Sequence, residues 1–77
     1  MNNTRRKLID SLIEKIDDLL SDVNLIMDDE QYAFDNLPES FQYSERGEAM
    51  ETAIENLEDA ISSLEEAEEY LTEAKGA

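Results

Sequence analysis

A seven-residue repeat of apolar residues, interrupted once by Pro38, constrains the fold of this chain more than any other feature. In the first half the apolar residues alternate in three- and four-residue steps, the a and d spacing of a coiled coil. These residues are Ile9, Leu12, Ile16, Leu19, Val23 and Ile26. A second row at seven-residue intervals runs beside them: Ile13, Leu20, Met27 and Phe34. Two adjacent rows form a broad face, which favours a bundle over a simple two-stranded coil.

The second half repeats the pattern Ala-Ile-x-x-Leu three times, with the last isoleucine replaced, between Ala53 and Glu73. One predicted core row is Met50, Leu57, Leu64 and Leu71, and the other is Ile54 and Ile61. Alanines flank these rows at strict seven-residue spacing: Ala53, Ala60, Ala67 and Ala74. Small residues at such positions let a neighbouring helix approach to the lower end of the usual range of about 8–10 Å.

The break between the two patterns lies around Pro38, which cannot sit inside a helix without losing a hydrogen bond. We predict a first helix over about residues 4–35, capped by Asn3 or Thr4, a turn over about 36–44, and a second helix over about 45–75.

Two starts of the second helix fit the sequence. Asn36 followed by Glu39 resembles a capping box, which predicts a start near residue 37. Alternatively, Ser44 caps a helix that begins at Glu45, after a short helical turn. Gly47 lowers helix propensity by about 1 kcal/mol relative to alanine. It therefore predicts close backbone packing near the bend, under Tyr32 or Phe34.

Helices of similar length joined by a short connection predict one all-α domain over residues 1–77, an antiparallel, coiled-coil-like helical hairpin. Such a hairpin places the basic cluster Arg5, Arg6 and Lys7 beside the acidic end of the second helix, at Glu66, Glu69 and Glu73. One partner helix cannot cover the whole broad face. A homodimeric four-helix bundle or a docking partner would cover the rest.

The chain carries 21 acidic and 6 basic side chains, a net charge of −15. This charge repels nucleic acids and anionic membranes and attracts proteins with basic grooves. No apolar run reaches the roughly 18 residues that span a bilayer. The chain has no Cys, His or cofactor motif, so we expect no catalytic residue, cofactor or enzymatic activity. The run Asp28-Asp29-Glu30 lacks the spacing of a calcium loop, so we expect no metal site.

Six glutamates of the second helix follow three- and four-residue steps, with Ser62 filling the one gap, and therefore lie along one face. This acidic stripe consists of Glu48, Glu51, Glu55, Glu58, Glu65 and Glu69. The segment from Glu45 to Lys75 holds eleven acids over roughly 46 Å of helix. A nucleic-acid strand carries about 14 charges over that length. The stripe is either a surface that imitates phosphates or an ordinary solvated helix face.

Four of the five aromatic residues cluster around the turn: Tyr32, Phe34, Phe41 and Tyr43. Aromatic residues at the open end of a hairpin typically close its core. In the alternative interpretation Tyr32, Phe41 and Tyr43 are anchors for a partner protein, beside acids that steer its approach.

Two short segments of the chain resemble a group of small acidic helical proteins of bacterial phages and prophages. They are Asn36-Leu37-Pro38-Glu39-Ser40 and Ser44-Glu45-Arg46-Gly47-Glu48-Ala49-Met50. The resemblance covers roughly the last two thirds of the chain. It implies no activity and no functional residue. It does imply a bacterial host cytoplasm and an anti-defence context, such as an anti-CRISPR protein.

Two functions follow as hypotheses. In the first, the chain is an inhibitor that occupies the basic groove of a nucleic-acid-binding defence protein by nucleic-acid mimicry, without binding nucleic acid or membrane itself. In the alternative, the heptad face mediates assembly, including homodimerisation, and the acidic face provides solubility only.

Overall fold

Three helices account for nearly all of the computed structural model, which describes residues 1–77. Helix α1 spans Asn3–Asp35, the short α2 spans Glu39–Gln42, and α3 spans Glu45–Gly76. Helices α1 and α3 pack against each other in opposite directions, and the molecule measures 58 × 15 × 12 Å. The prediction of an all-α helical hairpin is therefore confirmed.

Both ends of α1 are closed by asparagines. The Oδ1 atom of Asn2 accepts a hydrogen bond from the backbone N–H of Arg5 at 2.8 Å, so the cap precedes the predicted residues Asn3 and Thr4. At the other end, the side-chain amide of Asn36 donates to the carbonyl of Tyr32 at 2.7 Å. The predicted capping box at Asn36 is therefore wrong, because this side chain serves the end of α1, and α2 begins without a side-chain cap.

The start of α3 follows the second of the two predicted arrangements. The hydroxyl oxygen of Ser44 accepts from the backbone N–H of Gly47, and the short α2 precedes this cap. Gly47 is buried directly against α2. A Cβ atom on this residue would lie 2.7 Å from the carbonyl oxygen of Phe41 and closer still to that of Gln42. Close backbone packing at the bend is thus confirmed, with α2 as the neighbour in place of Tyr32 or Phe34.

The residues that are shielded from solvent on the two long helices alternate strictly in three- and four-residue steps. On α1 every half-buried residue belongs to one series: 6, 9, 13, 16, 20, 23, 27, 30 and 34. On α3 the matching series is 47, 50, 54, 57, 61, 64, 68, 71 and 75, flanked by half-buried Ala53 and Ala74. Both predicted core rows of α3 are therefore confirmed.

The predicted seam of α1 is wrong in one of its rows. Leu12, Leu19 and Ile26 are exposed, and the row that begins at Ile13 replaces them. A single partner helix covers only two of the three apolar rows of α1. The row that packs continues into Phe34, whereas the row left outside continues into Ala33, so the observed seam buries the larger side chain at the turn.

The core of the isolated hairpin is thin. Ile54 is the only buried hydrophobic residue, at 7% exposure, and the other apolar side chains of the seam are only half-buried. Two packed helices have no further layer to cover the edges of their interface, so most core residues are only partly enclosed.

The end of the hairpin opposite the turn is held by backbone contacts and one ion pair. The guanidinium of Arg6 donates to the carbonyl of Lys75 at 3.1 Å, a favourable position for a cation because the last carbonyls of a helix carry partial negative charge. The ammonium of Lys75 contacts Asp10 at 2.7 Å, the one salt bridge in the structure. The basic cluster thus lies at the C-terminal end of α3, but none of its residues forms an ion pair with Glu66, Glu69 or Glu73.

Candidate partner-binding surfaces

Two side-chain contacts fix the register of α1 against α3. Asp10 contacts Lys75, and the carboxyl group of Asp17 lies beside that of Glu68. The two contacts are seven residues apart on each helix, in opposite directions. Each core series consists of two alternating rows: 9, 16, 23 and 30 beside 6, 13, 20, 27 and 34 on α1, and 50, 57, 64 and 71 beside 47, 54, 61, 68 and 75 on α3. Residues that directly follow the rows of 9 and 50 therefore meet along one edge of the seam. Residues that directly precede the rows of 6 and 47 meet along the opposite edge.

The first edge, called here the acidic edge, contains the predicted stripe. Its α3 row holds Glu51, Glu58 and Glu65, and the remaining stripe residues Glu48, Glu55 and Glu69 lie on the next row outward. All six side chains are exposed. At 1.5 Å per residue the stripe is roughly 32 Å long. The structure therefore leaves all six predicted carboxylates open to a partner along one side of α3.

Two shallow, open depressions lie along the stripe. The first is between the helices near the turn, and its lining residues are Gln31, Phe34, Glu51, Ile54, Glu55 and Glu58. The second is on α3 toward the other end, lined by Ser62, Glu65, Glu66, Glu69, Tyr70 and Glu73. Both are dominated by carboxylates and neither is enclosed. Their shape and charge suit the basic side chains of a protein surface better than a small apolar ligand.

Helix α1 adds acids to the stripe, which the linear pattern of α3 does not reveal. Asp17 lies against Glu68, and Glu65 is close enough to act on the same carboxyl group. The hydrogen bond from this contact, partial desolvation and repulsion from Asp17 and Glu65 together raise the pKa of Glu68. Like charges therefore converge from both helices at this point, and the negative potential is concentrated there.

Sequence reasoning missed Asp17 and Glu68 as members of the acidic surface. Glu68 continues the series Gly47, Ile54 and Ile61, so an acid in a core row was visible in the sequence. The position of Asp17 was not visible, because it depends on the register between the two helices.

The structure divides the aromatic cluster of the turn into two groups. Phe34 and Leu37 are half-buried and close the end of the core. Tyr32, Phe41 and Tyr43 are 73%, 56% and 78% exposed. The three predicted anchors are thus outside the core, and they lie at the end of the hairpin where the acidic stripe begins at Glu48.

No group of three or more acidic side chains is arranged to hold a metal ion. None of the three helices is both long enough and apolar enough to cross a membrane. The candidate site is therefore an acidic surface on α3 bordered by the exposed aromatic rings of the turn.

No known protein family, curated protein or solved structure matches this chain. Arguments about its function therefore rest on the surface itself.

Proposed function

We propose that the protein binds the basic groove of a nucleic-acid-binding protein and inhibits it by imitating a nucleic-acid strand. The observation that carries this proposal is the exposed stripe of six glutamates on one side of a rigid helix. Successive carboxylates are separated by about 4.5–6 Å along the helix axis, except between Glu58 and Glu65, where Ser62 leaves a spacing of about 10.5 Å. A groove shaped for phosphates spaced a few ångströms apart can match such a row with lysine and arginine side chains.

The convergence of acids at Glu68 supports the same function. A carboxyl whose pKa is raised by neighbouring carboxylates is in a strongly negative local field. The hairpin maintains this repulsion, which costs stability, and a cationic groove would relieve it. Binding should therefore be strongest where Asp17, Glu65 and Glu68 come together.

The exposed aromatic residues at the turn supply the second part of the proposed interface. Tyr32, Phe41 and Tyr43 present large rings with little cost in side-chain entropy, which is typical of residues that anchor protein interfaces. In this proposal the acids steer the approach and the rings add short-range contact at one end of the groove.

The segments around Pro38 that resemble phage proteins suggest a biological setting for this inhibitor. In that setting the target is a defence protein of the bacterial cytoplasm that binds DNA or RNA, and the inhibitor acts as an anti-defence protein, as an anti-CRISPR protein does. The chain itself binds neither nucleic acid nor membrane, because both carry the same sign of charge.

The experiment that tests mimicry is displacement from nucleic acid. Proteins from a bacterial lysate are loaded onto immobilised duplex DNA or single-stranded RNA, and the purified hairpin is added at low salt. We expect the hairpin to release specific proteins, which mass spectrometry identifies. Their binding to the hairpin should then weaken steeply with salt, because ion pairs between the two surfaces are screened.

Two matched variants separate the stripe from net charge. One replaces Glu51, Glu55 and Glu58 by lysine, and the control replaces Asp18, Asp22 and Asp29 by lysine, three exposed acids on α1 outside both depressions. Each set of three reversals changes the net charge from −15 to −9, since every Glu→Lys or Asp→Lys substitution adds 2. The stripe variant should release nothing, whereas the control should act like the original. Equal activity of the two variants would contradict phosphate mimicry.

A further inference from the structure

The edge of the hairpin opposite the acidic stripe is apolar and open to solvent. On α1 it consists of Leu12, Leu19 and Ile26, which are 46%, 50% and 57% exposed. On α3 it consists of the alanine row Ala53, Ala60, Ala67 and Ala74, of which Ala60 and Ala67 are exposed and the other two half-buried. The leucine row and the alanine row follow the same seven-residue spacing. We call this surface the leucine–alanine edge.

The α3 side of this edge carries no acid, and its one charged residue is Arg46 at the start of the alanine row. Helix α3 carries eleven acids, yet none lies in the alanine row or in the adjacent outer row. The two rows together contain Ala49, Ala53, Asn56, Ala60, Ser63, Ala67, Tyr70 and Ala74. A neighbouring molecule can therefore cover this side of α3 without burying a carboxylate, which would cost several kcal/mol.

The thin core gives an independent reason for a neighbour on this edge. Only Ile54 and Gly47 are buried in the whole chain, and five leucine or isoleucine side chains remain outside the seam, three of them on this edge. Chains of this size usually need additional buried apolar surface, from oligomerisation or another source, to be stable. The leucine–alanine edge is where the hairpin carries apolar surface available for that purpose.

We infer that the neighbour is a second copy of this chain, bound edge to edge in a four-helix bundle. The edge is self-complementary, since it carries one row of large side chains and one row of small ones at equal spacing. A two-fold axis parallel to the long axis of the hairpin places the leucine row of each copy on the alanine row of the other. Both turns then lie at the same end of the dimer.

The area and the charge distribution agree with this arrangement. The long face of the molecule measures 58 by 15 Å, or about 870 Å² in projection. Stable protein interfaces bury about 800 Å² on each partner. The two acidic stripes point away from the interface, one on each side, so the dimer brings together the least charged surfaces of a chain of charge −15.

Sedimentation equilibrium tests the inference, with Leu19→Glu as the disrupting variant and Leu25→Glu as its matched control. Leu25 lies on the same helix and is 63% exposed, but it is outside the leucine–alanine edge. We expect a mass of twice 8.8 kDa for the original chain and for the control. Leu19→Glu should weaken association by roughly 100-fold or more, because the dimer buries the new carboxylate twice.

A measurement on the unmodified chain keeps the inference testable if the Leu19→Glu variant does not fold. The melting temperature of a dimer rises with protein concentration, whereas that of a monomer does not. A monomer mass and a constant melting temperature at all concentrations would overturn the proposal. Equal weakening by Leu19→Glu and Leu25→Glu would also overturn it, because the edge would then have no special role.

Spin labels test the orientation of the two copies. The chain has no native cysteine, so a single Glu39→Cys substitution in α2 labels the turn. Turns at the same end should give label distances of about 10–25 Å, from the usual spacing of packed helices and the length of the label arms. A distance near the 58 Å length of the hairpin would overturn the packing of leucine on alanine.

Salt dependence separates this inference from the proposed function, on which it does not rest. Salt screens the repulsion between two chains of charge −15, so added salt should strengthen the dimer while it weakens binding to a basic groove. Dissociation of the dimer by salt would overturn the apolar interface but leave the acidic stripe untouched.

Discussion

Replacing Gly47 by alanine sets two physical effects against each other. Gly47 lies in the first turns of α3, where alanine is favoured over glycine by about 1 kcal/mol of helix propensity. Propensity alone therefore predicts a more stable protein. The structure predicts the opposite, because the added methyl group would meet the backbone of α2.

The size of the effect follows from the atoms that the methyl group would meet. Its carbon would lie 2.7 Å from the carbonyl oxygen of Phe41 and closer still to that of Gln42. Backbone atoms cannot rotate away as a flexible side chain can, so α2 must move off α3. That movement strains the hydrogen bonds from the Gln42 amide to the carbonyls of Phe34 and Leu37, at 3.4 and 3.2 Å.

Overpacking costs about 1–3 kcal/mol, and a clash with backbone belongs at the upper end of that range. After subtraction of the propensity gain of about 1 kcal/mol, we expect Gly47→Ala to lower the free energy of unfolding by about 2 kcal/mol. The melting temperature should fall by roughly 10–15 °C for a domain of this size.

Thermal unfolding followed by circular dichroism at one fixed protein concentration measures this change. Gly76→Ala is the matched control, because a methyl group at Gly76 would meet nothing within 4 Å. The control should be neutral or slightly stabilising. An increase in melting temperature for Gly47→Ala would refute the steric argument and the close docking of α2 on α3.

Two further predictions concern the core and the acidic edge. Ile54→Ala should lower the free energy of unfolding by about 2–5 kcal/mol, because it leaves a cavity at the one buried apolar side chain. The control Leu25→Ala should change it by less than about 0.5 kcal/mol. Denaturant unfolding of both variants measures the difference. The raised pKa of Glu68 means that the folded state holds this proton more tightly than the unfolded chain. Its stabilising contribution is therefore complete below the ordinary pKa of 4.5 and is lost as the pH rises through the raised value. The melting temperature should rise as the pH is lowered from neutral, and Glu68→Gln should flatten that rise relative to a Glu66→Gln control; equal slopes for the two variants would contradict the contact with Asp17.

The sequence by itself determined the helices and the larger part of the hairpin. The seven-residue spacing of Ile54, Leu57 and their repeats identifies the core rows of α3, because the period of a helix dictates which residues share a face. Pro38 and Ser44 mark the break and the new start through local backbone chemistry. The six glutamates of the acidic stripe were likewise identified from spacing within a single helix.

Only the tertiary structure decided which rows of α1 face α3 and which residues of the two helices meet. Three rows of α1 are apolar, and the periodicity of one helix gives no reason to bury the row of Ile13 in place of the row of Leu12. The same holds for Asp17 and Glu68, since their contact depends on the register between two distant segments. Spacing within a helix is a local property that a sequence displays directly, whereas the choice of seam and register depends on how the turn closes and on which side chains it encloses.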